Sequence, residues 1–282
     1  MLKFPTVLYR RDTYIERIKP FIHTPIVKVM IGHRRVGKSY ILYQLIDEIR
    51  NNEHDANIIY INKEDIAYVD IVSSKDLHDY IASRLMSKRK NYIFIDEIQE
   101  IEGFKVAIRS LALDDSNDIY ITGSNSEMFS SDLANELGGR YVEFKIYSLS
   151  YMEFLDFHKL NNDDESLEKY IRFGGLPYLI HLPMREEVVM EYIRSVYSTI
   201  VLRDVVARNN IRNTAFLEQL IRFLADNIGS LFSSKSISDF LKSQNIRMSP
   251  TLVSEYADSL ASAFVVHRLG RYDIVGKRLF ER

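Results

Sequence analysis

One stretch constrains this chain more than any other. Val27, Val29 and Ile31 form an apolar run that enters Gly32-His33-Arg34-Arg35-Val36-Gly37-Lys38-Ser39, after which Ile41, Leu42, Leu45, Ile46 and Ile49 recur at helical spacing. Strand, glycine loop and helix in that order predict a phosphate-binding loop. Gly32 and Gly37 let the backbone turn tightly. Successive N–H groups from Arg35, Val36 and Gly37 to Ser39 and Tyr40 can then face an anion at the positive end of the helix. Lys38 would reach the β- and γ-phosphates of ATP, and the Ser39 hydroxyl would ligate Mg2+. A chance glycine loop that happens to carry a lysine explains neither flank.

The alternation continues downstream. Ile58–Ile61, Tyr92–Ile95, Ile119–Ile121 and Tyr141–Ile146 read as further strands, separated by helical patterns around Leu77–Leu85 and Leu133–Leu137. Such an order predicts a three-layer α/β domain with a mostly parallel sheet. The third run ends in Asp96-Glu97, 57 positions beyond Ser39. In a parallel sheet that end faces the same crevice as the phosphate loop. Asp96 would then hold the Mg2+ shell and Glu97 would polarise the attacking water, whereas the plainer reading is a helix opened by favourable acids. The fourth run ends in Thr122-Gly123-Ser124-Asn125, making Asn125 or Ser124 a candidate γ-phosphate sensor, with a capped glycine turn as the alternative.

Composition sets the limits. At 282 residues, 46% hydrophobic and 27% charged, the chain suits a folded protein of more than one domain. It has no cysteine, which excludes disulfides and thiolate chemistry. No apolar run approaches the ~20 residues of a membrane span, and Met1–Pro5 lacks a signal-peptide core. A cytoplasmic protein without membrane contact is expected. Residues 191–282 carry a net charge of +4 and residues 1–190 one of −6, a mild asymmetry that scattered surface charge explains as well as a nucleic-acid surface does.

Taken together, Gly32-x-Arg34-Arg35-Val36-Gly37-Lys38-Ser39, Asp96-Glu97-Ile98-Gln99, Thr122-Gly123-Ser124, Gly139-Arg140, Leu149-Ser150-x-x-Glu153-Phe154 and Gly174-Gly175-Leu176-Pro177 resemble a family of prokaryotic AAA+ ATPases with a C-terminal domain of unknown function. The resemblance covers nearly the whole chain. It implies ATP and Mg2+ as ligands, Lys38, Ser39, Asp96 and Glu97 in the usual ATPase roles, and Asn125 or Ser124 as first sensor. It also implies Arg140 in the arginine-finger position of a homo-oligomer. A surface pair between Arg140 and Glu136 is the competing expectation. Two departures stand out: His33 replaces the usual proline of the loop, and no position matches a second sensor arginine. Members of that family generally continue past residue 282 into a nuclease-like segment, so a fragment or a reduced member is expected.

In the second half, Tyr151, Phe154, Phe157, Tyr170, Phe173 and Tyr178 recur at helical spacing, which predicts a small helical lid, and a long helix is expected over 187–206. Helices over 216–228, 235–244 and 250–263 followed by strands over 264–269 and 275–280 have the order of a winged helix-turn-helix. Arg268, Arg271, Lys277 and Arg278 would track DNA phosphate there, while Glu255 and Asp258 on the third helix oppose that use. The expected division is 1–147 for the ATPase core, 148–206 for the lid and connector, and 207–282 for the winged-helix domain. The expected function is Mg2+-dependent ATP hydrolysis that drives a conformational change in the winged-helix module. The alternative is a nucleotide-gated DNA-binding regulator with little turnover.

Overall fold

The computed structural model describes residues 5, 7–125, 136–244 and 246–270. The expected helix over 133–137 and the expected strand over 275–280 fall wholly or mostly outside them. Five strands, β1 (Val27–Ile31), β2 (Asn57–Asn62), β3 (Asn91–Asp96), β4 (Asn117–Gly123) and β5 (Tyr141–Lys145), form one parallel sheet in the order β2-β3-β4-β1-β5. The chain leaving β1 crosses towards β2, and the chain leaving β4 crosses the other way to β5. These neighbours therefore part at their C-terminal ends, where α/β sheets bind ligands.

Both faces of the sheet are covered. On one, α1 (Asp12–Ile18) and α2 (Lys38–Asn52) bring Tyr14, Ile15, Ile18, Ile41, Leu42, Leu45 and Ile46 against Met30, Tyr92, Phe94, Tyr120 and Phe144. The alternate strand residues Ile93, Ile95, Ile119 and Ile121 point the other way and are buried as well. Helices α3 (Ser74–Ala82) and α4 (Phe104–Leu111) pack on each other. Uninterrupted Val- and Ile-rich strands are what a sheet buried on both faces requires.

The N-terminal edge of the sheet is polar. Asn57, Asn91 and Asn117 begin β2, β3 and β4 and stand in register, with Asn57 Nδ2 donating to Asn91 Oδ1 (2.7 Å) and Asn91 Nδ2 to Asn117 Oδ1 (3.2 Å). Next to them Lys28 of β1 pairs with Asp118 of β4, both fully buried. Lys28 Nζ also donates to the Thr24 carbonyl (3.0 Å), while Asp118 accepts from the His23 N–H (2.7 Å) and the Tyr120 hydroxyl (3.1 Å). Burial lowers the Lys28 amine below its ordinary pKa, against the pull of Asp118.

The chain divides into two compact units, Met1–Val196 and Tyr197–Arg282. After β5 the first unit continues through α5 (Tyr151–His158), α6 (Asp164–Phe173) and a 3-10 turn (Pro177–His181) into α7 (Glu186–Thr199). The helix expected over 187–206 is α-helical only to Thr199; Ile200–Ala207 is wound as a π-helix. Its β-branched Ile200, Val201, Val205 and Val206 crowd an α-helical turn, and the wider turn relieves them. The second unit then holds α8 (Thr214–Asp226), α9 (Ser234–Ser243) and α10 (Pro250–Ser262), with α9 against α10 and the Phe216 ring 5.5 Å from that of Tyr256.

The strand expected over 264–269 does not form. Phe264 takes a left-handed backbone (φ 60°), and its N–H bonds Ala261 O (3.0 Å) while that of Val265 bonds Leu260 O (2.9 Å). These bonds close the end of α10, so the first residues of the run are spent on a helix cap. Among the described residues no helix is long and apolar enough to cross a membrane.

Lys28→Met should lower stability by about 3–5 kcal/mol, because it leaves the Asp118 carboxylate buried beside an apolar chain. Lys28→Met combined with Asp118→Leu should recover much of that loss. Urea midpoints of the two variants check this, and equal midpoints for Lys28→Met and the unmutated chain would contradict it.

Candidate functional site

The loop after β1 starts under a steric limit. A Cβ on Gly32 would lie 2.2 Å from the Ile146 carbonyl oxygen, because the chain leaving β5 presses on it. Arg35 (φ 67°) and Gly37 (φ 95°) are both left-handed, which turns the backbone into a concave nest at the start of α2. Val36 is buried in the core below, while the side chains of Arg35 and Tyr40 are exposed. Lys38 is only 4% exposed. Its ammonium donates to the carbonyls of Gly32 (3.0 Å) and His33 (3.1 Å) and lies 3.4 Å from a Glu97 oxygen. The proline-replacing His33 bonds Arg34 O through Nδ1 (2.7 Å), so Nδ1 carries a proton, and Nε2 meets the Ser148 hydroxyl (3.1 Å).

Strand β3 delivers Asp96 and Glu97 to this loop. The Asp96 carboxylate is hydrogen-bonded by the Ser39 hydroxyl and by Thr122 Oγ1 (2.5 Å), with Tyr60 Oη at 3.4 Å. Burial pushes its carboxyl above the usual range, and Ser39 and Thr122 only partly offset that. Glu97 follows in a left-handed conformation (φ 55°, ψ 49°), which costs a non-glycine residue about 1 kcal/mol or more. Burial alone would raise its carboxyl as well. The Lys38 charge, the Gln99 amide and Arg34 outweigh burial and hold it below the usual range, so Glu97 is ionised.

Thr122 joins the two acids. Its hydroxyl donates to Asp96 and accepts the Glu97 N–H (3.0 Å). Ser124 and Asn125, each 1% exposed, follow at the end of β4, and Ser124 Oγ accepts from Gln99 Nε2 (3.3 Å). Lys38, Ser39, Asp96, Glu97 and Ser124 are thus brought together at the crevice.

Arg140 is not brought to that crevice. Its carbonyl accepts the Val27 N–H (3.0 Å), level with the start of β1 and at the opposite end of that strand from Gly32. The side chain is exposed, and Glu136 pairs with Arg109 (2.5 Å) rather than with Arg140.

Arg11 was not singled out by any sequence pattern. It is 3% exposed, and its guanidinium donates to the carbonyls of Val36 (3.0 Å), Tyr147 (2.9 Å) and Ser148 (3.3 Å) and to Glu153 (2.8 and 3.1 Å). Glu153 in turn closes the capping box that starts α5. From the same region the Gly175 carbonyl accepts the Leu149 N–H (2.7 Å), and Pro177 Cγ lies 3.8 Å from the position a Gly37 Cβ would take.

A buried carboxylate held by a hydroxyl, with both oxygens hard donors, fits Mg2+, which takes one or two protein ligands and completes its shell from phosphate and water. Ser39 and Asp96 are the residues that would hold it.

Comparison with known proteins agrees with this geometry. Residues 24–155 match a family described as an AAA domain, and residues 164–280 match a domain of unknown function, DUF8612. An uncharacterised protein of Haemophilus influenzae is 36% identical over 274 residues, covering 95% of this chain and 68% of that protein. The chain belongs to that family of AAA+ P-loop ATPases. An uncharacterised protein of Methanocaldococcus jannaschii is 29% identical over 267 residues, covering 90% of this chain and 58% of its own length, so the chain spans only part of both relatives. The Holliday junction branch migration motor RuvB of Thermotoga maritima is similar with a TM-score of 0.46 at 14% identity, over 92% of this chain and 90% of that one. That likeness is too loose to identify a partner or an activity.

In this AAA+ chain the Thr122 hydroxyl should be worth far more than its size. Thr122→Val keeps the shape but leaves the Glu97 N–H without an acceptor, at a cost of about 1–3 kcal/mol. Thr122→Ser should restore most of it. Urea midpoints of the two variants measure the difference, and a Thr122→Val midpoint equal to that of the unmutated chain would contradict the link.

Proposed function

We propose that this protein binds ATP with Mg2+ and hydrolyses it, and that turnover drives movement of the helical segments behind the ATPase core. The observation that carries the reading is the convergence of Lys38, the Ser39–Asp96 pair and an ionised Glu97 on one glycine-lined nest. The nest and Lys38 would bind the β- and γ-phosphates, and Mg2+ on Ser39 and Asp96 would neutralise charge that develops on them. Glu97 would take a proton from a water whose oxygen attacks the γ-phosphorus. The bond to the β,γ-bridging oxygen breaks with its electron pair, leaving ADP and inorganic phosphate, and Glu97 then releases the proton.

Residues 148–206 are proposed as lid and connector, a role supported by the place of Pro177 beside Gly37 of the loop and by the Arg11–Glu153 pair. For residues 207–282 a relay or protein-packing use is better supported than DNA reading. Arg268, the one described residue of the expected phosphate-tracking set, is engaged by Asp258 and lies over the Phe232 ring (5.5 Å). Arg271, Lys277 and Arg278 lie outside the described residues. DNA binding with little turnover remains the second reading, and a cytoplasmic location belongs to the same proposal.

Lys38→Ala should abolish nucleotide affinity. Glu97→Gln should keep that affinity and lower turnover by ~10²-fold or more, since one residue meets phosphate charge and the other only water. A fluorescent-nucleotide titration and steady-state phosphate release measure the two effects. Hydrolysis by Glu97→Gln at the unmutated rate would remove Glu97 as the base.

Arg140 is proposed as a finger acting in a neighbouring subunit of a homo-oligomer, because it sits at the wrong end of β1 to reach its own loop. Arg140→Ala and Glu97→Gln chains, each inactive alone, should regain part of the ATPase activity when mixed. Full activity of Arg140→Ala by itself would exclude that role.

A further inference from the structure

Gln99 is a polar side chain at the crevice that the reading above does not use. It stands in the 3-10 turn Ile98–Glu100, which brings it back over Glu97 two residues earlier. Its Nε2 donates to a Glu97 carboxylate oxygen and to Ser124 Oγ (3.3 Å). The same nitrogen is directed at both the Glu97 carboxylate and the Ser124 hydroxyl, which leaves the carbonyl oxygen as the other end of the carboxamide. That oxygen, Oε1, is buried and has no hydrogen-bond partner among the described residues. Buried acceptors without a donor are rare and costly, and where one persists beside reacting groups a ligand that donates is the economical account.

We propose that Gln99 sets the geometry of water attack: its amide nitrogen clamps the Glu97 carboxylate to the Ser124 hydroxyl, and its buried carbonyl accepts the second proton of the attacking water. The inference rests on Glu97 as the base. The water then meets two acceptors, the carboxylate that removes one proton and the carbonyl that orients the other, so its lone pair is aimed at the γ-phosphorus without any change in the atoms exchanged. Ser124 enters through Gln99 rather than by touching phosphate. Strand β4 would thereby report on the base through one amide, which links the C-terminal ends of the neighbouring strands β3 and β4.

The test uses the full chain with Gln99→Met, which keeps length and removes both polar ends, and with Gln99→Asn, which keeps the amide one methylene short. Both should lower kcat by ~10²-fold while the Kd for a non-hydrolysable ATP analogue stays within about twofold. Ser124→Ala should lower kcat in the unmutated background and have almost no further effect on Gln99→Met, because the two act as one unit. An unchanged kcat in Gln99→Met, parallel losses of kcat and analogue binding, or multiplying effects of Gln99→Met and Ser124→Ala would each overturn the proposal. Glu97→Gln is the control. If it hydrolyses normally the base assignment itself has failed, and if it is inactive while Gln99→Met is active only the role of Gln99 has.

Discussion

The Arg11 guanidinium is the interaction on which the site depends. A phosphate loop binds through backbone direction, and this one contains two left-handed residues that nothing in the local sequence obliges to stay so. Arg11 fixes the Val36 carbonyl between them, and the same group ties down the carbonyls of residues 147 and 148 and the Glu153 carboxylate. A guanidinium that is 3% exposed is tolerable only when its donors are met, so the contacts form together or not at all. Glu153 adds a further dependence, since the oxygen that Arg11 Nη2 approaches also accepts the Ser150 N–H (2.9 Å) that starts α5. Loop shape and the start of the helical segment thus share one charged group.

Around that anchor the two carboxylates are treated differently by their surroundings. Asp96 lies among hydroxyls and is pushed up by burial, which makes it receptive to a cation. Glu97 lies against the Lys38 ammonium and an amide and is kept ionised, as a proton acceptor must be. One threonine side chain serves both, and the left-handed turn at Glu97 is what swings the second acid from the strand axis towards Lys38.

The sheet and the loop were legible because their information is local. Apolar runs, glycine spacing and acids at a strand end lie within a few residues of one another, and strand order follows from the alternation. Arg11, Thr122 and Gln99 act through contacts that span 142, 26 and 25 positions, and no periodicity encodes those. The strand expected at 264–269 fails for a different reason. Phe264-Val265-Val266 has strong strand character, yet the end of α10 needed its carbonyls satisfied and claimed the first two of these residues, at the cost of a left-handed phenylalanine. Arg140 illustrates a third limit, since a glutamate one turn back suggested a partner that Arg109 had taken.

The asparagines at the start of β2, β3 and β4 bear on accuracy at a distance. Asn57-Ile58-Ile59-Tyr60-Ile61, Asn91-Tyr92-Ile93-Phe94-Ile95 and Asn117-Asp118-Ile119-Tyr120-Ile121 are similar apolar ribbons, the last two buried on both faces and the first buried on one and half-buried on the other. A slip of two places would keep every apolar side chain on its proper face, so the alternation of faces does not choose between the two alignments. It would also carry Asp96 some 6–7 Å along the sheet, away from Ser39 and Thr122. The paired amides and the Lys28–Asp118 contact favour the observed alignment, and they do so about 16 Å from the carboxylates whose position they help to determine. Side chains that never approach a nucleotide act here as the alignment marks for those that would.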